Sequence, residues 1–210
     1  MRQRILVGRL TWAAVALCAA GLLGLGAGSA SAAVHKSWKT KSSYGSTTSH
    51  MSGPVSDANI AAIVTTANKV DIQNAREAER ISKNPKVLEF ARRMTTDHTA
   101  ANRQAMDLAK RLNLTPKPDA LSRSLETSGT QTRSRMMSMT GASFDRAYID
   151  NEVKLHESVL NVIDNTLLPN VQNADLKKLI QDTRPVIEEH LRMAKDVQSQ
   201  LSTGSNSYQR

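Results

Sequence analysis

Residues 85–113 read PKVLEFARRMTTDHTAANRQAMDLAKRLN, and this stretch decides the fold class. Val87, Ala91, Met94, His98, Ala101, Ala105, Leu108 and Leu112 recur at steps of 4, 3, 4, 3, 4, 3 and 4. That spacing keeps one narrow face of an α-helix apolar, as in a seam packed between neighbouring helices. Pro85 suits the first helical position, where its missing N–H removes nothing. Lys83-Asn84 before it makes a tight turn, and Thr115-Pro116-Lys117-Pro118 stops the helix at about Asn113.

The same period extends in both directions. Ile60, Ile63, Val64, Ala67, Val70, Asn74, Ala78 and Ile81 mark a helix from about Ser56 to Lys83, with Ser56 or Asp57 as its cap. Ile149, Val153, His156, Leu160, Ile163 and Leu167 mark a third, from about Ser143 to Leu168, with Gly141 as a break before it and Pro169–Asn173 as the turn after it. Leu176, Leu179, Thr183, Val186, His190, Met193 or Ala194, Val197 and Leu201 mark a fourth. Pro185 inside it removes a backbone hydrogen bond and should kink it. Residues 119–142 are Ser/Thr-rich, and Leu121, Leu125 and Met136 suggest a short extra helix there. The expected fold is all-α, an antiparallel four-helix bundle over 56–201. Whether the second and third long helices are joined by a full-length crossover is left open by the pattern, as is oligomeric state.

Before the bundle, Arg2, Arg4 and Arg9 precede an apolar run from Leu10 to about Ala27, and Ala30-Ser31-Ala32 is an A-x-A signal. Residues 1–32 therefore read as a secretory signal peptide, with cleavage near Ala33 and a periplasmic or extracellular destination. An uncleaved anchor is the rival reading; the small-residue end favours cleavage and no stable span. Cys18 is the chain's one cysteine and lies within the signal, so the mature part has no thiol chemistry. Residues 33–55, rich in Ser, Thr, Gly and Lys, form a disordered basic arm, and 202–210 a disordered tail.

The net charge of +9 is largely peripheral. Removing three signal arginines, then Lys36, Lys39, Lys41 and Arg210, leaves 21 basic against 19 acidic residues in the domain. Scattered, nearly balanced charge argues against a nucleic-acid groove. The arm suits weak contact with an anionic envelope surface, although a solubilising tether is the simpler reading.

Three of the five histidines, His98, His156 and His190, occupy seam positions on three different helices. His98 lies 14 residues after Asn84 and Asp71 lies 13 before it, so in an antiparallel hairpin they share a level within roughly one 1.5 Å rise. His156 and His190 lie 17 residues to either side of Asn173, and match if the turn centres there. Asp71 fits this level better than Glu77, six residues further along the same helix. Asp71, His98, His156 and His190 thus form a candidate first shell for one transition metal ion, zinc, copper or iron. Metal uptake would weaken below about pH 6, where ordinary histidine takes a proton. Met94 and Met193, one turn from His98 and His190, would favour copper(I) as ligands, but core filling is their commoner use. The bland alternative is a buried cluster in which the imidazoles satisfy one another and carboxylates such as Asp97, Glu152 and Glu189.

Enzyme signatures are thin. No Glu-x-x-His, His-Glu-x-x-His, Gly-rich phosphate loop or nucleophile elbow occurs. Tyr148 near His156 could form an acid–base pair, but a seam tyrosine with a bonded hydroxyl is the simpler reading.

Asn84-Pro85, Phe90-Ala91-x-x-Met94-x-x-Asp97-His98, Phe144-Asp145-x-x-Tyr148, His156 and Glu189-His190-Leu191 together make the chain resemble the bacterial domain of unknown function numbered 4142. The resemblance spans about residues 56–201. It implies a ferritin-like bundle, exported, with no established function. It also implies an acidic residue where Asp71 stands. The family's helix-3 histidine usually follows an acidic residue, and here Leu155 stands in that place. Three functions remain: a binding module for a metal or small ligand, a ligand-free structural or stress-related envelope protein, and a ferritin-like redox enzyme. The missing Glu-x-x-His pairs count against the third.

Overall fold

The computed structural model describes residues 55–204, and these are all-helical, with no strand among them. The signal, the arm up to residue 54 and residues 205–210 lie outside the described residues. Helix α1 is Asp57–Ile81, α2 is Pro85–Arg111, α3 is Ala120–Met137 and α4 is Gly141–Val162. A π-helical segment, Ile163–Leu167, continues α4 into a last turn, α5 (Leu168–Asn170), and α6 is Ala174–Gly204. Among the described residues no helix is long and apolar enough to cross a membrane.

Each start has a chemical cause. Ser56 accepts the Asn59 N–H while the Asn59 side chain accepts the Ser56 N–H, so two otherwise unpaired donors of the first turn are satisfied. Asn84 caps α2 ahead of Pro85, Asp119 caps α3, and Asn173 accepts from the N–H groups of Asp175 and Leu176 at the start of α6. Asp57 also accepts from the N–H groups of Gln172 and Asn173, fastening the α5–α6 turn to the beginning of α1.

Helices α1 and α2 pack as one antiparallel pair, α4 and α6 as another, and α2 against α6 joins the pairs. The connection between them was left open by the pattern, and α3 makes it. Lys117 N–H bonds to Ala58 O at the lower end, where α1 begins. At the upper end Ser82 Oγ donates to Asp145 Oδ1 at 2.5 Å, where α4 begins. Between these points α3 runs along α1, with Arg133 donating to Gln73 and Gly129 seated on Val70. It is a crossover of 18 residues rather than a short helix. Its Ser/Thr-rich sequence has modest helix propensity, so packing of Leu125, Gly129 and Met136 stabilises it.

Two smaller departures concern α4 and α6. Pro169 does not end the third long helix, which continues to Asn170. Proline brings no N–H to the Asn165 carbonyl four residues back, and here the helix takes up five-residue bonding, with Leu168 N–H on Ile163 O. In α6 the buried apolar positions in the first half are Leu176, Ile180 and Ile187, while Leu179, Thr183 and Val186 are half-buried. The helix runs unbroken through Pro185.

The core has two parts. The upper one contains Phe90, Phe144, Tyr148, Met94, Ile149 and Val87, all with at most 1 % exposure. The lower one is aliphatic, built around Ile60, Ile63, Leu125, Ile163, Ile180 and Ile187. Val55 is buried in it, so the chain is already packed one residue before the α1 cap.

Candidate metal centre

Between the two cores lies a polar layer. His98 from α2, His156 from α4, His190 from α6 and Asp71 from α1 are all buried there, each at most 5 % exposed. The helical period accounts for this: each histidine replaces an apolar residue in a seam, so the fold carries its ring inward. Ring centroids are 5.7 Å apart for His98–His156, 5.1 Å for His98–His190 and 5.5 Å for His156–His190, nearly an equilateral triangle. Asp71 Oδ2 lies 3.4 Å from His98 Nε2 and 3.7 Å from His156 Nε2. All four residues named from the sequence are therefore brought together. Glu77 is partly exposed and pairs with Arg80.

The outward nitrogen of every ring is held. His98 Nδ1 hydrogen-bonds Asn68 Oδ1, His156 Nδ1 donates to the Glu152 backbone carbonyl, and His190 Nε2 pairs with Asp97 Oδ2, each at 2.9 Å. Asp97 is in turn bonded by Arg93. The second nitrogen of each ring, His98 Nε2, His156 Nε2 and His190 Nδ1, is buried without a hydrogen-bond partner among the described residues. One ligand atom from each of the three histidines lies within 4.8 Å of the others. This is the arrangement a metal-binding histidine uses: an oxygen acceptor on one nitrogen sets the tautomer and leaves a lone pair on the other. Tetrahedral ligation at 2.0–2.1 Å puts nitrogens about 3.3 Å apart, so modest ring rotations would close a shell.

Burial favours neutral rings. It lowers His98 to about 3, helped by the neighbouring His190 and opposed by Asp97. It lowers His156 to about 4, against the pull of Asp71. Proton competition at these two rings therefore begins below the pH of about 6 expected of ordinary histidine.

Glu152 is the residue that the sequence reading undervalued. It is fully buried, and Asp71, Glu152 and His156 form a second group whose ligand atoms lie within 4.8 Å of one another. Its Oε2 is 3.8 Å from His156 Nδ1, and Asn151 donates to its Oε1. Burial raises Glu152 well above the usual carboxylate range, with Asp71 beside it pushing the same way, and burial raises Asp71 too. Two adjacent buried carboxyls resist carrying two negative charges, and a cation between them offsets that cost. Its place four residues before His156 was the available signal, since i and i+4 share a helix face.

The other named residues fall elsewhere. Glu189 is exposed and bonded by Arg192. Met94 and Met193 pack in the upper core. Tyr148 stacks on Phe144 and meets Phe90 edge-on, and burial and Glu152 raise its phenol well above the usual range. It is a seam residue, but its hydroxyl has no partner among the described residues, so neither the bonded hydroxyl expected of one nor an acid–base pair with His156 is formed.

No curated protein and no solved structure matches the chain. The model of one family does, over residues 43–197, which takes in α1, the turn into α2, the crossover and all four residues of the polar layer. The chain belongs to the family described as Domain of unknown function (DUF4142).

Proposed function

We propose that this is an exported, ferritin-like four-helix-bundle protein that binds one transition metal ion at mid-height through His98, His156, His190 and Asp71. One observation carries the reading: three rings, each held by an oxygen acceptor, leave three buried nitrogens unpartnered, and one ligand atom from each ring lies within 4.8 Å of the others. Buried nitrogens without partners are costly, and an ion relieves all three together. A nitrogen-rich set with one carboxylate suits zinc, copper or iron. The crossover between two antiparallel helix pairs supports the ferritin-like assignment. Export rests on the arginines, apolar run and Ala30-Ser31-Ala32 signal of residues 1–32.

The test is elemental analysis of protein purified without a histidine tag, repeated for His156→Ala. About one metal per chain is expected, and its loss in the variant. Metal added to stripped wild-type protein should stabilise it by about 2.7 kcal/mol at a hundredfold excess over Kd, seen as a rise in melting temperature. Substoichiometric metal in the wild type, or full retention by His156→Ala, refutes the reading. The layer would then be a hydrogen-bonded polar core in a ligand-free envelope protein.

A further inference from the structure

Immediately below the polar layer the helices leave a cavity of about 60 Å³. Its walls come from five segments: Ile63 and Ala67 of α1, Ala101 of α2, Leu125 of α3, Leu155 and Val159 of α4 with Ile163 of the π segment, and Ile180 and Ile187 of α6. Its upper end is Asp71, His98 and His156. The remaining polar wall residues are already engaged: Asn68 bonds His98, and Thr183 Oγ1 donates to the Leu179 carbonyl. The other polar wall residues, Asp71, His98 and His156, therefore gather at one end.

The size is informative. One water needs about 10–15 Å³ in this measure, so the cavity holds several water-sized groups. Water requires two to four polar partners, and the aliphatic walls supply none. The π segment is also placed here. Its end residues, Ile163 and Leu167, both line the wall, and interruptions of this kind recur at functional sites.

We propose that this cavity is a binding site for a small, uncharged, apolar molecule of a few heavy atoms, held by the aliphatic walls with one end against the histidine layer. The assignment stands on the walls and the volume and does not require an ion above them, so it can fail or succeed independently of the metal reading.

Xenon is the probe. Methyl NMR of metal-stripped and zinc-supplemented protein under xenon should show saturable shifts at Leu155, Val159, Ile163 and Ile187. Ala101→Leu fills the cavity from α2 and should abolish those shifts while helicity is kept. Ala67→Leu, from α1, is the second variant should the first fail to fold. Absence of saturable shifts in the wild type overturns the proposal. So does their persistence in a folded variant, and so does loss of folding in both variants, which would mean the space is already filled.

Discussion

The two halves of the core differ in what fills them. Above the histidine layer, Phe90, Phe144 and Tyr148 are nested within one another, with ring centroids 6.1 and 6.3 Å apart, and Met94 and Ala91 close the gaps. These are all the aromatic residues among 55–204. Below the layer, branched aliphatic side chains from five helical segments meet around a cavity. Large flat rings fill volume with few side chains and stack in specific geometries, whereas isoleucine and leucine alone must interlock to avoid voids. The upper half is thus closely packed on one side of His98, His156 and His190, and the lower half leaves space on the other.

That contrast can be broken by matched truncations. Ile149→Ala in the upper core should cost about 4 kcal/mol in urea unfolding, because its surroundings are fully packed. Ile187→Ala, on the cavity wall, should cost about 2 kcal/mol, since contacts are missing there already. Equal losses would remove the packing difference on which the comparison rests.

Enlargement sharpens it, because the sign should change. Ala91→Leu, at a position with no exposure, should destabilise by about 1–3 kcal/mol through overpacking. Ala101→Leu should be neutral or stabilising by about 0.5–1 kcal/mol, read in the same denaturation experiment. Destabilisation of both by the same amount would show that the lower half has no usable space.

A smaller effect is expected where α3 rests on α1, alongside both halves. A Cβ at Gly129 would lie 2.6 Å from Val70 Cγ1. Alanine favours a helix over glycine by about 1 kcal/mol, and overpacking opposes it by about 2 kcal/mol. Gly129→Ala should therefore lower stability by about 1 kcal/mol, with Gly129→Ala/Val70→Ala recovering part of the helix-propensity gain. A stabilised single variant would mean that α3 moves freely on α1.

Much of this molecule is legible in its residues one helix at a time. The 4-3 period of α2 placed Met94 and His98 inward without reference to any other helix; counting from Asn84 levelled Asp71 with His98, counting from Asn173 levelled His156 with His190, and packing of the two pairs brought these levels together. Such features depend on local geometry, where 3.6 residues per turn relates position to face. The orienting partners were less legible. Asn68, Asp97 and the Glu152 carbonyl each hold a ring from a different direction, and which acceptor a ring finds depends on helix rotation by a few tens of degrees.

Other features belong to the tertiary structure alone. Leu179-Ile180 and Val186-Ile187 are adjacent apolar pairs, so periodicity admitted either member, and packing against α2 and α4 buried Ile180 and Ile187. The Ser/Thr-rich stretch that became α3 carries little helical signal, and its 18-residue length follows from the distance between the lower end of α2 and the upper end of α4. The π segment answers Pro169 and the turn fastened by Asp57. The cavity has no sequence signature, because an unfilled volume is a property of side chains from five segments taken together. Period and capping determined the helices and the inward face that carries the histidines; three-dimensional packing decided what holds each ring and how much space lies beneath them, since both depend on contacts between residues distant in the chain.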